Sequence, residues 1–233
     1  MDKLLKYRYE LKYPCDEVQL AVVKSRLSQL MVLDPHAKNG SYTIRSMYFD
    51  NYQNRCFREN ENGTDPREKF RIRIYNADSS RISLECKRKE HGKTYKTACT
   101  LSHEQYYQLL NNGKGMDLST APDLLRTFWI LINTQGFRPS VIVEYDRIPY
   151  VYKLGNVRIT LDCNIRSSDD FAHFFDKTLL TRPILPQGHH LMEVKYDELL
   201  PDFIKSSLEL GELRRTSFSK FFLCRKYITG GKL

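Results

Sequence analysis

Three short stretches of this sequence repeat one arrangement of charge. Glu10-Leu11-Lys12, Glu85-Cys86-Lys87 and Glu193-Val194-Lys195 each set a carboxylate two residues before an ammonium. In an extended chain successive side chains leave on opposite faces, so each pair shares one face and the residue between them points away. The stretch Arg8-Tyr9-Glu10-Leu11-Lys12-Tyr13 places three charges on one face and Tyr9, Leu11 and Tyr13 on the other. Lys69, Arg71 and Arg73 alternate in the same way with Phe70, Ile72 and Ile74, as do Arg158, Thr160 and Asp162 with Val157, Ile159 and Leu161. Such faces suit the binding of phosphate. Guanidinium groups offer paired donors to its oxygens, and a carboxylate among many cations is a hard-oxygen ligand for a divalent ion.

Two arrangements satisfy this pattern. An amphipathic antiparallel sheet can turn its polar side to bulk water. Alternatively, the strands close into a barrel whose lumen carries the charges, with the apolar faces turned outward under helices. Exposed faces usually mix in Ser, Thr and Gln, whereas these five strands carry mainly Arg, Lys and Glu. Like charges gathered away from water repel one another and lose hydration, so a lumen of this kind needs a polyanion, metal ions or well-placed carboxylates.

The elements that must carry these faces are readable along the chain. Residues 15–35 have helical spacing of Val18, Val22, Leu27, Leu30 and Met31, with Asp16 as N-cap and Pro35 as the stop. YTIRSMYFDN reads as a strand, and residues 68–101 read as successive strands joined by short polar turns. Two helices follow, closed by Gly113 and Gly136. Strands return in VIVEYDRIPYVY, NVRITLDCNI and HLMEVKYDEL, with Gly155-Asn156 as the turn between the first two, and LPDFIKSSLELG and SFSKFFLCRKYI close the chain as helices. No linker or composition break interrupts the 233 residues, so one α+β domain over residues 1–233, dominated by antiparallel strands, is expected.

Composition narrows the function classes. With 41% hydrophobic residues the chain can bury a core, which argues against disorder. Apolar runs such as LRTFWILI fall far short of the ~20 residues that span a bilayer. The N-terminal residues lack the apolar stretch of a secretion signal, and cytoplasmic residence is expected. The six cysteines have no CxxC spacing and read as free thiols of a reducing compartment. The six histidines read as surface or loop residues. A formal net charge of +9 calls for an anionic partner. Nucleic acid is disfavoured, because no RNA- or DNA-binding motif appears and the aromatics fall largely on the faces opposite the basic residues.

The succession RYELKY, SMYFDN, FRIRIY, SLECKRK, IVEYDR, VRITLD, MEVKYD and SFSKF, spread over nearly the whole chain, resembles the VTC domain. That domain is the polyphosphate polymerase branch of the triphosphate tunnel metalloenzymes. The resemblance implies an α+β fold with an eight-stranded antiparallel β-barrel tunnel and flanking helices. It also implies ATP and inorganic polyphosphate as ligands and a divalent metal, Mn2+ or Mg2+, as cofactor. By position, Lys12, Arg71, Arg73, Lys87, Arg147, Arg158, Lys195 and Lys220 match basic residues that grip phosphates, and Glu193 matches the metal-binding glutamate. Lys93 and Lys96 fall near further lysines of the family. Tyr145, Ser219 and Glu10 join as nucleotide- or phosphate-binding candidates. No membrane span is expected, and a membrane-protein partner stays open. The chain departs from the family pattern at Ser217, where a lysine is expected. The sensor domain and membrane segments of the fungal complexes are not expected here either.

The activity implied is transfer of the γ-phosphate of ATP to a growing polyphosphate chain. A triphosphate hydrolase of the same fold is the nearest alternative. Such relatives carry ExExK on the first strand, where this chain has Arg8 in place of the first glutamate. A non-catalytic polyphosphate-binding module is the other.

Overall fold

The computed structural model describes residues 8–209 and 213–230. In chain order these form β1 (Tyr9–Asp16), α1 (Glu17–Leu30), β2 (Val32–Leu33), β3 (Tyr42–Asp50), α2 (Arg55–Glu61), β4 (Arg67–Tyr75), β5 (Asp78–Glu90) and β6 (Lys93–Leu101). Then come α3 (His103–Leu110), α4 (Asp123–Gln135), β7 (Arg138–Tyr152), β8 (Val157–Ser168), β9 (Arg182–Pro183), β10 (His189–Tyr196), α5 (Asp202–Ser207) and α6 (Lys220–Ile228). Eight of these strands are long and antiparallel, and six α-helices accompany them among the described residues, so the α+β class expected from the sequence holds.

Chain contacts divide the molecule into two units. The first comprises Met1–Thr43, Tyr145–Ile165 and Leu185–Ser219. Here β10 runs antiparallel between β1 and β8, which sets Lys12 opposite Glu193 and Glu193 opposite Thr160. The C-terminal part of β7 lies beside β8 and pairs with β2 through Val32 and Val151. Leu20, Val23 and Leu27 of α1 pack on Ile159, Leu161, Met192 and Val194, with Leu11 and Tyr13 of β1 against the same cluster. Each such side chain contributes about 1.5–3 kcal/mol when fully buried. The apolar sides of these strands therefore face the helix, as their alternation requires. Gly155, in the turn between β7 and β8, has φ +69°, and a Cβ there would come within 2.3 Å of the Leu199 carbonyl oxygen, so glycine is the residue that fits.

The second unit comprises Ile44–Glu144, Arg166–Ile184 and Lys220–Leu233. β4 pairs with β3 and β5, and β5 pairs with β6. The N-terminal part of β7 lies beside β3, where the Ser140 hydroxyl donates to the Tyr48 carbonyl. Phe128 of α4 meets Phe49 edge-on at 4.9 Å and stacks on Phe70 at 5.3 Å between ring centroids. One charged set lies on this apolar side. Arg45, which shares its face with Met47 and Phe49, donates to Glu144, and Arg166 donates to the other oxygen of Glu144 at 2.8 Å. Arg45 also donates to the carbonyls of Phe174 and Asp176 at 2.7 and 2.6 Å.

Several expectations are corrected. α1 ends at Leu30 rather than Pro35, because Val32 and Leu33 leave the helix to pair with β7. α6 starts at Lys220 rather than Ser217, and α5 ends at Ser207, with Leu208 as its C-cap, before the expected Leu210-Gly211, which lie outside the described residues. His190 is buried rather than superficial. β10 alternation places it on the side of Met192 and Val194, and its Nε2 lies 2.8 Å from Glu17 Oε2. The six cysteines are free. No helix among the described residues is long and apolar enough to cross a membrane.

The start of α1 is set by a reciprocal cap. Asp16 Oδ1 accepts from the Gln19 backbone N–H at 2.8 Å, and Gln19 Oε1 accepts from the Asp16 N–H at 3.0 Å. Asp16→Ala is expected to cost about 1 kcal/mol in urea unfolding. Gln19→Ala added to it should cost less than it does alone, since the two groups act as one cap.

Candidate phosphate-binding site

Period two delivers the charges of the first unit to one face of β1, β10 and β8, and Glu193 stands at their centre, 5% exposed. Its Oε2 accepts from Lys195 Nζ at 2.9 Å and from Arg147 Nη2 at 3.3 Å, while Lys12 Nζ lies 3.9 Å from Oε1. Arg147 also holds Asp162 with both arms of its fork, at 2.6 and 2.7 Å. Its guanidinium sits 5.2 Å from the ring centroid of buried Tyr145. Burial opposes the charge of Arg147, but Asp162, Tyr145 and Glu193 outweigh it and raise its pKa well above the ordinary value.

Lys12 is tied in on two sides. Its Nζ pairs with Glu10 at 3.0 Å and donates to the Phe218 carbonyl at 2.6 Å, while its own carbonyl accepts from Thr216 N–H at 3.0 Å. Residues 216–218 are thereby fastened to β1, with Ser219 half-buried next in the chain and Ser217 exposed. Arg158 donates to Asp34 and to the Tyr42 hydroxyl, each at 2.9 Å. Partial burial raises the Asp34 pKa, but hydrogen bonds from His36 and the charge of Arg158 lower it by more. Arg8, expected on the same face as Lys12, pairs with Asp197, two residues after Lys195, at 2.8 Å and donates to the Asn156 carbonyl.

The second unit repeats the plan around Glu85, which is 2% exposed. Arg71 donates to Glu85 Oε2 through Nε at 2.8 Å and Nη2 at 2.6 Å, and through Nη1 to the Tyr48 hydroxyl at 2.8 Å. Arg73 Nη1 lies 3.8 Å from the same oxygen, and its Nε donates to Ser46 Oγ at 3.1 Å. Lys96 donates to the other carboxylate oxygen at 3.1 Å. Lys87 stands between Lys69 and Lys96 in the register. Lys69 donates to Asn60 and lies 5.3 Å from the Phe221 ring centroid, and buried Lys220 opens α6 beside Phe221.

Of the residues singled out from the sequence, Glu10, Lys12, Tyr145, Arg147, Glu193 and Lys195 are thus brought together in the first unit, with Arg158 opposite Lys195 in the register. Arg71, Arg73 and Lys96 are brought together in the second. Lys93 is not, because the register sets it opposite Glu90, on the side of the ribbon away from Lys96. Sequence reasoning put Glu85 and Asp162 on the charged faces without giving them a role in the site, and did not place Tyr48, Tyr42 or Asp34 there. The alternation carried a signal for Glu85, Asp162, Tyr48 and Tyr42, whereas Asp34, outside any strand, offered none.

These clusters can hold phosphate oxygens between fixed cations. No two of their side chains form a nucleophile–base pair of the acyl-transfer kind. Among the described residues no three His, Cys, Asp or Glu side chains gather as a metal-holding group. Glu193 nonetheless fits an ion such as Mg2+, which needs only one or two carboxylates where substrate phosphates supply further oxygens.

A family model described as the VTC domain matches residues 7–229. No curated protein matches the sequence. A Hippeastrum protein classed as a candidate adenylyl cyclase, and described with a dominant triphosphatase activity, has a similar structure. It is 16% identical, with 98% of each chain covered and a TM-score of 0.55. A candidate adenylate cyclase from Bacillus halodurans aligns at 16% identity over 87% of this chain and 86% of its own, with a TM-score of 0.49. The protein PH1819 of Pyrococcus horikoshii aligns at 14% identity over 93% and 97%, also with a TM-score of 0.49. The first of these likenesses shows a shared fold.

Burial raises the pKa of Glu85, but Arg71, Arg73 and Lys96 together hold it well below its ordinary 4.5. A depressed carboxyl stabilises the fold fully above its unfolded value and loses that contribution as pH falls towards the folded value. Unfolding free energy measured from pH 5 down to pH 2 should therefore fall less steeply for Glu85→Gln than for the parent protein.

Proposed function

Because this chain belongs to the VTC domain family, we propose that it transfers the γ-phosphate of ATP to the end of an inorganic polyphosphate chain. The observation that carries the reading is the pair of cation clusters, each built on strand faces opposite the apolar core, the first around buried Glu193 and Asp162 and the second around buried Glu85. Phosphoryl transfer needs little covalent help from protein, being mostly positioning and neutralisation of charge on the phosphoryl oxygens. A terminal phosphate oxygen of the chain attacks the γ-phosphorus, the bond from that phosphorus to the β,γ-bridging oxygen breaks, and ADP leaves. Lys12, Arg147, Arg158 and Lys195 of the first unit, and Arg71, Arg73, Lys87, Lys96 and Lys220 of the second, are each assigned to phosphate oxygens. Tyr145 and Ser219 are assigned to the nucleotide side. Glu193 is assigned the divalent ion, Mn2+ or Mg2+, which when bound neutralises phosphate charge. The family match runs through both units and supports reading the chain as one functional domain.

Hydrolysis of triphosphate is the second reading, favoured by the fold shared with the Hippeastrum protein. Against it stands the first strand, where Arg8 occupies the position of a further carboxylate and pairs with Asp197.

Incubation with ATP and Mn2+, with ADP, phosphate and polyphosphate resolved, separates the readings. Polymerisation gives ADP and long chains, hydrolysis gives phosphate, and a binding module gives neither. Lys12→Ala should lower transition-state stabilisation by about 2–4 kcal/mol, the range for losing one preorganised donor. Turnover within threefold of the parent would remove Lys12 from the role. Glu193→Gln should abolish turnover while ATP binding, followed by calorimetry, persists.

A further inference from the structure

Glu85 is not part of the phosphate grip proposed above, yet three cations converge on its buried carboxylate. Arg71 reaches it twice through one oxygen, Lys96 holds the other, and Arg73 lies 3.8 Å away. The strand register explains the convergence, because Arg71 stands opposite Glu85 on the neighbouring strand and Lys96 is two residues from Ala98, its partner on the other side. Tyr48 and Ser46 of β3 complete the frame from beyond β4, taking Arg71 Nη1 and Arg73 Nε. Two guanidinium groups and an ammonium are thus oriented by one buried anion.

An anion at this spot has two opposed effects on a phosphate ligand. It fixes the donors in one geometry, which favours a transition state needing them in place. It also repels the incoming phosphate, which weakens binding in the ground state. Interactions accelerate a reaction only when they are stronger in the transition state than in the ground state, and a fixed carboxylate shifts the balance in that direction.

We infer that Glu85 is a positioning residue: its carboxylate orients Arg71, Arg73 and Lys96 for phosphoryl transfer while holding down their affinity for bound phosphate. The inference rests on the phosphate chemistry proposed above. It separates rate from affinity, which a purely structural role would not do.

The test compares the full chain with Glu85→Gln and Glu85→Asp, measuring tripolyphosphate affinity by calorimetry and ATP turnover with Mn2+. The amide keeps the shape and removes the charge. Its tripolyphosphate Kd should fall at least threefold while kcat falls at least tenfold. The aspartate keeps the charge and shortens its reach, so kcat should fall while Kd stays within twofold. Should Glu85→Gln fail to fold, the aspartate variant decides alone by that criterion. Unchanged kcat, or a loss of kcat that comes with weaker binding, overturns the inference. A parent that binds tripolyphosphate but turns over no ATP sinks the enzymatic reading instead, and the binding arm then decides. Tighter binding by Glu85→Gln keeps the restraining role, and equal or weaker binding ends it. A parent that binds no tripolyphosphate overturns both.

Discussion

Cations crowded away from bulk water lose hydration and repel one another, and only counter-charges at short range make such crowding tolerable. In this chain those counter-charges sit inside each group, buried Asp162 on Arg147 among them. Glu193 meets Arg147, Lys195 and, at longer range, Lys12, and Glu85 meets Arg71, Arg73 and Lys96. Removing one partner from a buried pair is far costlier than never having built it. Each carboxylate therefore acts as a keystone for its group, and the strands beneath must hold register to keep it there. A one-residue slip of β10 would turn Glu193 into the apolar core and set Val194 among the cations.

The apolar sides of the same strands pay for that register. Leu20, Val23 and Leu27 of α1 lock β8 and β10 in the first unit, and Phe128 of α4 locks β3 and β4 in the second. The same period-two alternation that builds the core therefore builds the site.

Much of this was legible in the sequence because period two is a strong signal when charge and bulk alternate without exception. Glu10 and Lys12, Glu193 and Lys195, or Arg71 and Arg73 each announce a shared face without any knowledge of the fold. What escaped were features that alternation does not encode. Arg45 lies on the apolar side yet is satisfied by Glu144 and two carbonyls from a distant segment, a long-range pairing that no local pattern reports. Helix α2 follows Asn54 in the left-handed region, with the Arg55 N–H taken by Asn51 and the Cys56 and Phe57 N–H groups by Asp50 from the end of β3, rather than by an N-cap side chain. His190 was misjudged because an imidazole in an apolar row reads as polar until Glu17 is seen beside it. Lys93 was misplaced because a shared short segment does not ensure a shared face: it and Lys96 are three residues apart, an odd number in a strand.

The contact of Arg45 with the carbonyls of Phe174 and Asp176 also bears on how the molecule opens. Residues 171–179 are short turns with little regular structure, the kind of segment that ordinarily frays ahead of the sheets it covers. Here a buried guanidinium rooted in β3, and shared with Glu144 of β7, grips the segment from beneath. Peeling it away would leave that guanidinium short of two acceptors inside the protein, so the segment is energetically joined to the strands under it. Its backbone amides should exchange with solvent on the slow timescale of those strands, and a protease should find it closed until they part.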